Sequence, residues 1–205
     1  MSNRGRPRSF DRDAALRRAM EVFWERGYEG TSIADLTAAM GIGAPSLYAA
    51  FSCKEELFQE AVALYDATEG EATNRALRDE PTARSAVEAM LRDNARNYAR
   101  ADRPTGCMIV LAATTASPRN DAIRALLAAS RQRSIEALER RLEQGIADGD
   151  VPAKTDTASL AAFYVTVLEG LSIRARDGTS QETLDAIADY AMASWDALAP
   201  PATVA

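Results

Sequence analysis

Residues 31–54 have the sequence TSIADLTAAMGIGAPSLYAAFSCK, and their pattern predicts two short helices joined by a tight turn. In the first half, apolar residues up to Met40 recur at the i, i+3, i+4, i+7 spacing of one helical face. Ser32 and Asp35 have the spacing of a capping box at the start of this helix. Gly41 is the residue type that ends a helix in a left-handed conformation. The first helix of the pair is therefore predicted to end at Met40.

The second half of this stretch predicts another helix, with Pro45 in its first turn. Proline suits that position because its missing N–H would have no partner there. Leu47 and Phe51 lie four residues apart and give this helix a buried side. Two short helices around a glycine turn form a helix-turn-helix, whose second helix enters a DNA major groove. The same spacing also fits a plain structural corner between two helices, so periodicity alone leaves both interpretations open.

The residues in and around this stretch form an ordered series of motifs. They are Phe23, Gly27-Tyr28-Glu29-Gly30-Thr31-Ser32-Ile33, Gly41-Ile42, Ser46-Leu47-Tyr48, Phe51 and Lys54-Glu55-Glu56-Leu57-Phe58. This series strongly resembles the amino-terminal domain of the tetracycline-repressor-like (TetR/AcrR) family. The resemblance covers the motifs of residues 1–60, and beyond them only the helical character and the length are similar. It implies a ligand-responsive, DNA-binding transcriptional regulator, in most cases a repressor.

The resemblance also implies roles for matching positions in the helix-turn-helix. It implies phosphate contacts by Thr31, Tyr48 and Lys54. The groove-facing positions are occupied by Gly43, Ala44, Pro45, Ser46 and Ala49. Lys54 has a physical reason as well, because it lies in the predicted first turn of the next helix, where free N–H groups favour a phosphate. A capping box formed by Ser52 and Glu55 is predicted to fix that turn.

The outward face of the second helix departs from the usual chemistry of base recognition. It has no Arg, Lys, Asn or Gln, the side chains that make paired hydrogen bonds to guanine or adenine. We therefore expect sequence specificity to depend on the arginines of the amino-terminal arm, on DNA shape and on dimer spacing more than on hydrogen bonds from this helix.

The amino-terminal arm is basic although the whole chain carries a net charge of −6. Residues 1–18 contain six arginines against two aspartates. Local charge decides affinity for phosphates more than the total does, and Pro7 disfavours helix in this segment. Arg6 and Arg8 are predicted to lie along phosphates or to enter a minor groove. A solvated, disordered terminus is the alternative for the arm.

Composition sets limits on the function. The chain of 205 residues has no apolar run as long as a membrane span, and its first residues lack the apolar core of a signal peptide, so we expect a cytoplasmic protein that binds no membrane. Histidine is absent and the only cysteines are Cys53 and Cys107, which are too few for a zinc site. No catalytic residues, metal or cofactor are predicted, and the chain is not expected to be an enzyme.

The rest of the chain consists of predicted helices punctuated by proline and glycine, so the predicted fold is all-α. The helix after Lys54 continues across the domain boundary, which gives a DNA-binding domain at 1–60 and a helical effector-binding and dimerisation domain at 61–205. The further helices are predicted at about 83–100, 107–116, 120–147, 157–176 and 181–198.

The last two predicted helices carry apolar stripes that suit a symmetric four-helix interface. The stripes contain Leu160, Val167, Leu171, Leu184, Ile187, Ala191 and Trp195. The core of a single chain would explain the same stripes. The resemblance implies a homodimer, and two recognition helices must reach successive major grooves about 34 Å apart.

A small effector is the other partner that the resemblance implies, enclosed among the middle helices. The candidates for a mainly apolar cavity are Tyr98, Met108, Leu111, Leu127, Phe163 and Tyr164. Each of them could instead be plain core. We expect the effector to release a repressor from a pseudo-palindromic DNA operator. The alternative is a helical small-molecule-binding or enzymatic protein whose DNA-binding head is vestigial.

Overall fold

Helices form the whole framework of the computed structural model, which describes residues 10–115, 117 and 119–200. Their bounds are Arg12–Arg26 (α1), Ile33–Met40 (α2), Ala44–Phe51 (α3), Lys54–Thr68 (α4), Glu71–Asp79 (α5), Ala83–Tyr98 (α6), Met108–Thr115 (α7), Asp121–Asp148 (α8), Thr157–Arg176 (α9), Gln181–Ala193 (α10) and Trp195–Leu198 (α11). No strand occurs in the described ranges, and the predicted all-α fold is confirmed.

Local capping explains where the first helices begin and end. The Asp11 side chain accepts hydrogen bonds from the first turn of α1, and Ser32 with Asp35 forms the predicted capping box at α2. Gly41 ends α2 with φ of 67°. A left-handed conformation of this kind costs glycine little because it has no Cβ.

The cap of α4 differs from its prediction. Cys53 is the N-cap, and its sulfur accepts from the Glu56 N–H at 3.4 Å. Ser52 instead ends α3 with φ of 59°. An N-cap residue takes an extended backbone conformation, so Ser52 cannot cap α4 while it reverses the chain. The predicted Ser52–Glu55 capping box is therefore wrong by one position.

Helices α1 to α4 form the predicted DNA-binding domain, which we call the head, around an aromatic core. The rings of Phe23 and Phe58 pack edge to face with centroids 5.0 Å apart, a favoured aromatic geometry. Leu36, Leu47 and Phe51 are fully buried against them and hold α2 and α3 on α1. The short helices α2 and α3 thus depend on tertiary packing, because helices of eight residues are marginal on their own.

Helices α5 to α11 form the rest of the structure, which we call the body. The body has its own core, in which α6 and α9 pack against α8 and α10. α9 is long and apolar enough to cross a membrane by length and composition alone. Its residues Leu160, Tyr164 and Leu171 are buried in the body core. That position is the one expected of a core helix of a soluble protein.

Two helices differ from the sequence prediction. α5 was not predicted as a separate helix, because it follows Gly70 directly and buries only Ala76 and Leu77, too few apolar residues to mark a stripe. The predicted last helix is interrupted at Ser194, which separates α10 from α11.

The head and the body are joined by direct packing of their helices and not by a flexible linker. Met108 and Ala112 from α7, and Ile123 and Leu127 from α8, belong to the core of the head. The α4 helix passes from one core toward the other. The division of the chain at residue 60 stays a prediction, since body helices complete the core of the head.

Candidate nucleic-acid interface and effector cavity

The helix-turn-helix presents one continuous outer face on α3. Leu47 and Phe51 are buried against the head, whereas Pro45, Tyr48 and Ala49 are exposed. Ser46 and Ala44 are half-buried at the helix start, and Gly43 is the extended N-cap residue. The structure thus brings together all the predicted groove-facing positions, and Tyr48, a predicted phosphate contact, lies beside them at 47% exposure.

Thr31 has a different environment from the other predicted contacts. Its side chain is 1% exposed, and its hydroxyl donates a 2.7 Å hydrogen bond to the carbonyl of Gly27. A phosphate oxygen can only accept, so the hydroxyl would have to leave Gly27 to contact DNA. In this structure Thr31 fixes the turn between α1 and α2.

Lys54 is the first residue of α4, where the predicted phosphate contact requires it. Its ammonium lies 4.2 Å from the centroid of the Tyr28 ring, a cation–π contact. Burial lowers the pKa of Lys54, and the nearby Glu29 carboxylate opposes that shift. The Tyr28 ring therefore holds a cation at the helix end, beside free N–H groups that also attract anions.

Sequence reasoning missed two arginines that support the recognition helix from within. The Arg12 guanidinium pairs with Glu60 at 2.6 Å, donates to the Ala50 carbonyl and stacks over the Phe51 ring. Arg18 donates to the carbonyl of Met40 at the end of α2. Both belong to the six arginines of residues 1–18 that the sequence analysis assigned to the basic arm. No local sequence pattern distinguishes these two structural arginines from the others. Arg6 and Arg8 lie outside the described residues.

The predicted dimer residues occupy the inner side of α9, α10 and α11. Leu160, Leu171, Leu184, Ala191 and Trp195 are buried in the chain's own core, and Val167 and Ile187 pack against it half-buried. The apolar periodicity of these helices is therefore explained by the core of this chain and does not by itself indicate a dimer interface.

The opposite side of the same helices also carries exposed apolar residues. The sequence pattern did not distinguish these residues from those on the inner side. It exposes Phe163, Ile173, Tyr190 and Leu198, with Tyr190 at 79% exposure. A Cβ added to Gly170 would meet no atom within 4 Å. We name this surface, formed by Phe163, Gly170, Ile173, Tyr190 and Leu198, the outer face.

A cavity of about 340 Å³ lies between α4, α5, α6, α8 and α9, with the start of α7 as one wall. Of the predicted effector contacts, only Tyr98 lines it. Met108 and Leu127 are fully buried in the core of the head. Leu111 is half-buried and Phe163 is exposed on the outer face. Tyr164 is fully buried and donates its hydroxyl to the Ala191 carbonyl at 3.2 Å.

Polar side chains also line part of this cavity, among them Asp66, Arg131 and Glu169. Burial raises the pKa of Tyr65 and of Tyr98 well above the ordinary value, and it raises the pKa of the Cys107 thiol beside them. Burial also raises the pKa of Asp66 and Glu169. These side chains come from distant parts of the chain, so no local pattern indicates that they meet.

Hydrogen bonds connect the cavity walls to the end of α1 in the head. The Cys107 N–H donates to Ser172 Oγ at 2.7 Å, and the neighbouring Gly106 carbonyl accepts from Trp24 Nε1 at 3.1 Å. Arg176, in the last turn of α9, donates to the carbonyls of Trp24 and Glu25. The end of α1 is thus bound to two segments that carry cavity residues.

A second connection joins the turn after α1 to the loop between α7 and α8. Glu29 accepts from the Ser117 N–H and from the Asn120 amide. These hydrogen bonds lower the pKa of Glu29, with that from Asn120 contributing most. The same glutamate lies close to Lys54, so this connection ends beside a predicted DNA contact.

An exposed recognition helix on a packed head of four helices, joined directly to a helical body, is the arrangement of a DNA-binding regulator. Residues 15–61 match the family model of bacterial regulatory proteins of the tetR family, and residues 81–191 match the tetracyclin repressor-like C-terminal domain. The chain belongs to the TetR family and is a helix-turn-helix transcriptional repressor.

Individual relatives agree with this membership. The transcriptional repressor ComR of Escherichia coli (strain K12) is 38% identical over 96% of this chain and 94% of its own length. The repressor BdcR of the same organism is 32% identical over 91% of this chain and 90% of its own length. A solved structure of a cysteine-substituted form of the regulator CifR, complexed with 26-base-pair double-stranded operator DNA, is 49% identical, covers 93% of this chain and 100% of its own, and has a TM-score of 0.90.

Family membership also bears on the predictions of function. It confirms the resemblance found in the amino-terminal motifs and the prediction that the chain is not an enzyme. It leaves the individual DNA, effector and dimer contacts as predictions.

Proposed function

We propose that this repressor acts as a homodimer in the cytoplasm, binds a pseudo-palindromic operator and is released from it by a small effector in the body cavity. The observation that carries the proposal is the set of hydrogen bonds that ties the end of α1 to Gly106 and Arg176, next to cavity residues. A ligand that displaces these segments would shift the head, and a shift of two heads changes their match to successive grooves.

The outer face supports the homodimer. Exposed apolar side chains on two adjacent helices are unusual on a free surface when they form one patch. Gly170 is a poor choice for the interior of a helix in a monomer, where it costs about 1 kcal/mol relative to alanine. A glycine with open space around it lets a second helix approach closely. A copy of the same chain would bury the outer face in a symmetric four-helix contact.

The DNA contact of the head is tested by removing its lysine. Lys54→Ala is expected to weaken binding to every duplex and to lower the salt dependence by about one counterion, since a phosphate contact carries no sequence information. The matched control is Lys154→Ala, which removes an exposed lysine of the body. Unchanged affinity in Lys54→Ala, measured by fluorescence anisotropy at several salt concentrations, would exclude Lys54 as a phosphate contact.

The same assay addresses the alternative function. A protein with a vestigial head would bind the DNA upstream of its own gene no better than unrelated DNA. Two chains per operator, with specific and salt-sensitive binding, would support a working dimeric repressor.

A further inference from the structure

The cavity contains buried polar groups that a plain core would not hold. Asn94 is 3% exposed, and its Nδ2 donates to Thr73 Oγ1 and to the Met90 carbonyl, each at 2.8 Å. The Met90 carbonyl requires a donor, which fixes the orientation of the amide. Within the described residues the Asn94 Oδ1 accepts no hydrogen bond, although Asn94 lines the cavity. An amide oxygen of a residue that lines a cavity can accept a hydrogen bond from a bound molecule.

Arg131 supplies the strongest unpaired donor at this site. Its Nη1 is buried and has no hydrogen-bond partner in the part of the chain that the structure describes. Its Nε lies 3.8 Å from Glu169 Oε1, too far for a good hydrogen bond. The planar fork of a guanidinium matches a carboxylate geometrically. The guanidinium of Arg131, which lines the cavity, is therefore incompletely paired by acceptors of the protein.

The charges around the cavity also favour an anion. Arg131, Arg133 and Arg140 line it, together with Asp66, Glu69 and Glu169. Glu69 is already paired with Arg103, which is not part of the lining. Three arginines thus face two carboxylates, which leaves one positive charge in excess.

The two remaining carboxylates are themselves partly buried. Burial raises the pKa of Asp66 and of Glu169, and nearby arginines only partly offset that shift. With both carboxylates ionised, a bound monoanion would balance the single positive charge that remains in excess.

We infer that the effector of this protein is a small monoanionic molecule, a carboxylate with a short apolar body, whose oxygens accept from Arg131. This inference rests on the proposed function and names the ligand class of its cavity. The volume of about 340 Å³ is at the small end for ligand cavities, which favours a small occupant. The side chains of Ile109, Val165 and Leu168 line the cavity beside an apolar body.

The test compares acids with their neutral amides. The purified full-length protein is titrated calorimetrically with benzoate and hexanoate, and in parallel with benzamide and hexanamide. The carboxylates are expected to bind the wild type, and Arg131→Gln is expected to weaken them by roughly tenfold or more, since a hydrogen bond to a charged group contributes about that factor. Arg131→Lys should retain part of the affinity.

The matched control is Arg96→Gln, which removes an exposed arginine that pairs with Asp93 outside the cavity. It is expected to leave carboxylate binding unchanged, and circular dichroism checks that each variant folds. The inference is overturned if the wild type binds no carboxylate at millimolar concentration, if the amides bind as tightly as the acids, or if Arg131→Gln and Arg131→Lys both keep full affinity.

Operator binding, measured with and without each probe, separates this inference from the proposed function. Carboxylate binding that leaves operator affinity unchanged would support the anion site and contradict ligand-controlled release. Release of the operator by the amides but not by the acids would support ligand-controlled release and contradict the anion site.

Discussion

Individual side chains in the head combine structural and DNA-binding roles at short range. Lys54 rests on the Tyr28 ring at the start of α4, while Arg12 is used internally to hold α3 through Ala50 and Phe51. Two basic residues of one domain thus have different tasks, and the difference depends on which side chains lie next to them. Arg12 should matter for the stability of the head, whereas Lys54 should matter for DNA affinity.

At the residue scale, the capping box of α2 makes a prediction about acid titration. Hydrogen bonds from Ser32 lower the pKa of Asp35 to about 2, and Arg26 adds to the effect. Because the folded pKa is depressed, the stabilisation is present above the unfolded value and is lost as pH falls toward about 2. Ser32→Ala is expected to raise the Asp35 pKa toward its ordinary value and to destabilise the head by about 1 kcal/mol.

Nuclear magnetic resonance titration of the Asp35 carboxyl checks this prediction. Ser180→Ala is the matched control, because Ser180 caps α10 in the same way and should leave Asp35 unaffected. An ordinary pKa for Asp35 in the wild type would show that the capping box does not form in solution.

At the scale of the element, α9 performs two tasks on opposite sides. Its inner side, with Leu160, Tyr164 and Leu171, belongs to the body core, and its outer side carries Phe163 and Ile173. A helix with apolar residues on both sides is expected to be covered on both sides. The dimer proposal follows from this distribution and gives α9 a direct contact with the second chain.

Gly170 makes the contact between helices testable without disturbing the monomer. Since its Cβ position is open, Gly170→Arg is expected to fold normally but to prevent close approach of the partner and to give a monomer. Gly170→Ala should stabilise the helix slightly and retain the dimer if the approach leaves room for a methyl group. Thr166→Arg would be a weaker test because threonine already carries a side chain.

Sedimentation equilibrium measures the outcome for Gly170, and operator affinity should fall with the loss of dimer. The matched control is Gly178→Arg, at a glycine that lies beyond α9 and also has open surroundings; its positive φ is expected to reduce stability but not dimerisation. A dimer of unchanged strength in Gly170→Arg would place the interface elsewhere.

At the scale of the whole molecule, α1 and the turn after it carry several hydrogen bonds between the head and the body. Trp24 binds Gly106, Arg176 binds the carbonyls at the end of α1, and Glu29 binds the loop before α8. Body side chains such as Met108 and Leu127 also complete the core of the head. The head and the body are therefore joined by packing and by hydrogen bonds, and under the proposed function a rearrangement around the cavity would reach the recognition helix through these contacts.

Arg176→Gln should weaken this coupling. We expect the effector to change operator affinity less in this variant, by a factor of about five or more if the coupling is typical at roughly 1–3 kcal/mol. Arg174→Gln is the control, since Arg174 is exposed and pairs only with Asp177 in its own segment. Anisotropy titrations of operator DNA with and without effector provide the measurement. Equal effector responses in both variants would show that Arg176 does not transmit the signal.

The helices of the head could be predicted from the sequence far better than the lining of the cavity. The reason is that the head depends on interactions between residues close in sequence, whereas the cavity depends on residues far apart in sequence. Ser32, Gly41 and Pro45 act on their own or adjacent turns, so a local pattern was enough to predict the helix-turn-helix. The cavity depends on how six helices pack, and Tyr98 and Arg131 meet there only through the tertiary fold. Apolar spacing alone could not distinguish Met108, a core residue of the head, from a ligand contact.

The most direct test of the account is binding of the purified protein to DNA from its own promoter region and to a scrambled duplex, at two salt concentrations. We predict tight binding of one dimer to the promoter duplex and much weaker binding to the scrambled one, with affinity for both falling as salt rises. Equally weak binding to both duplexes, with or without the small carboxylates, would contradict a dimeric repressor whose head still reads DNA.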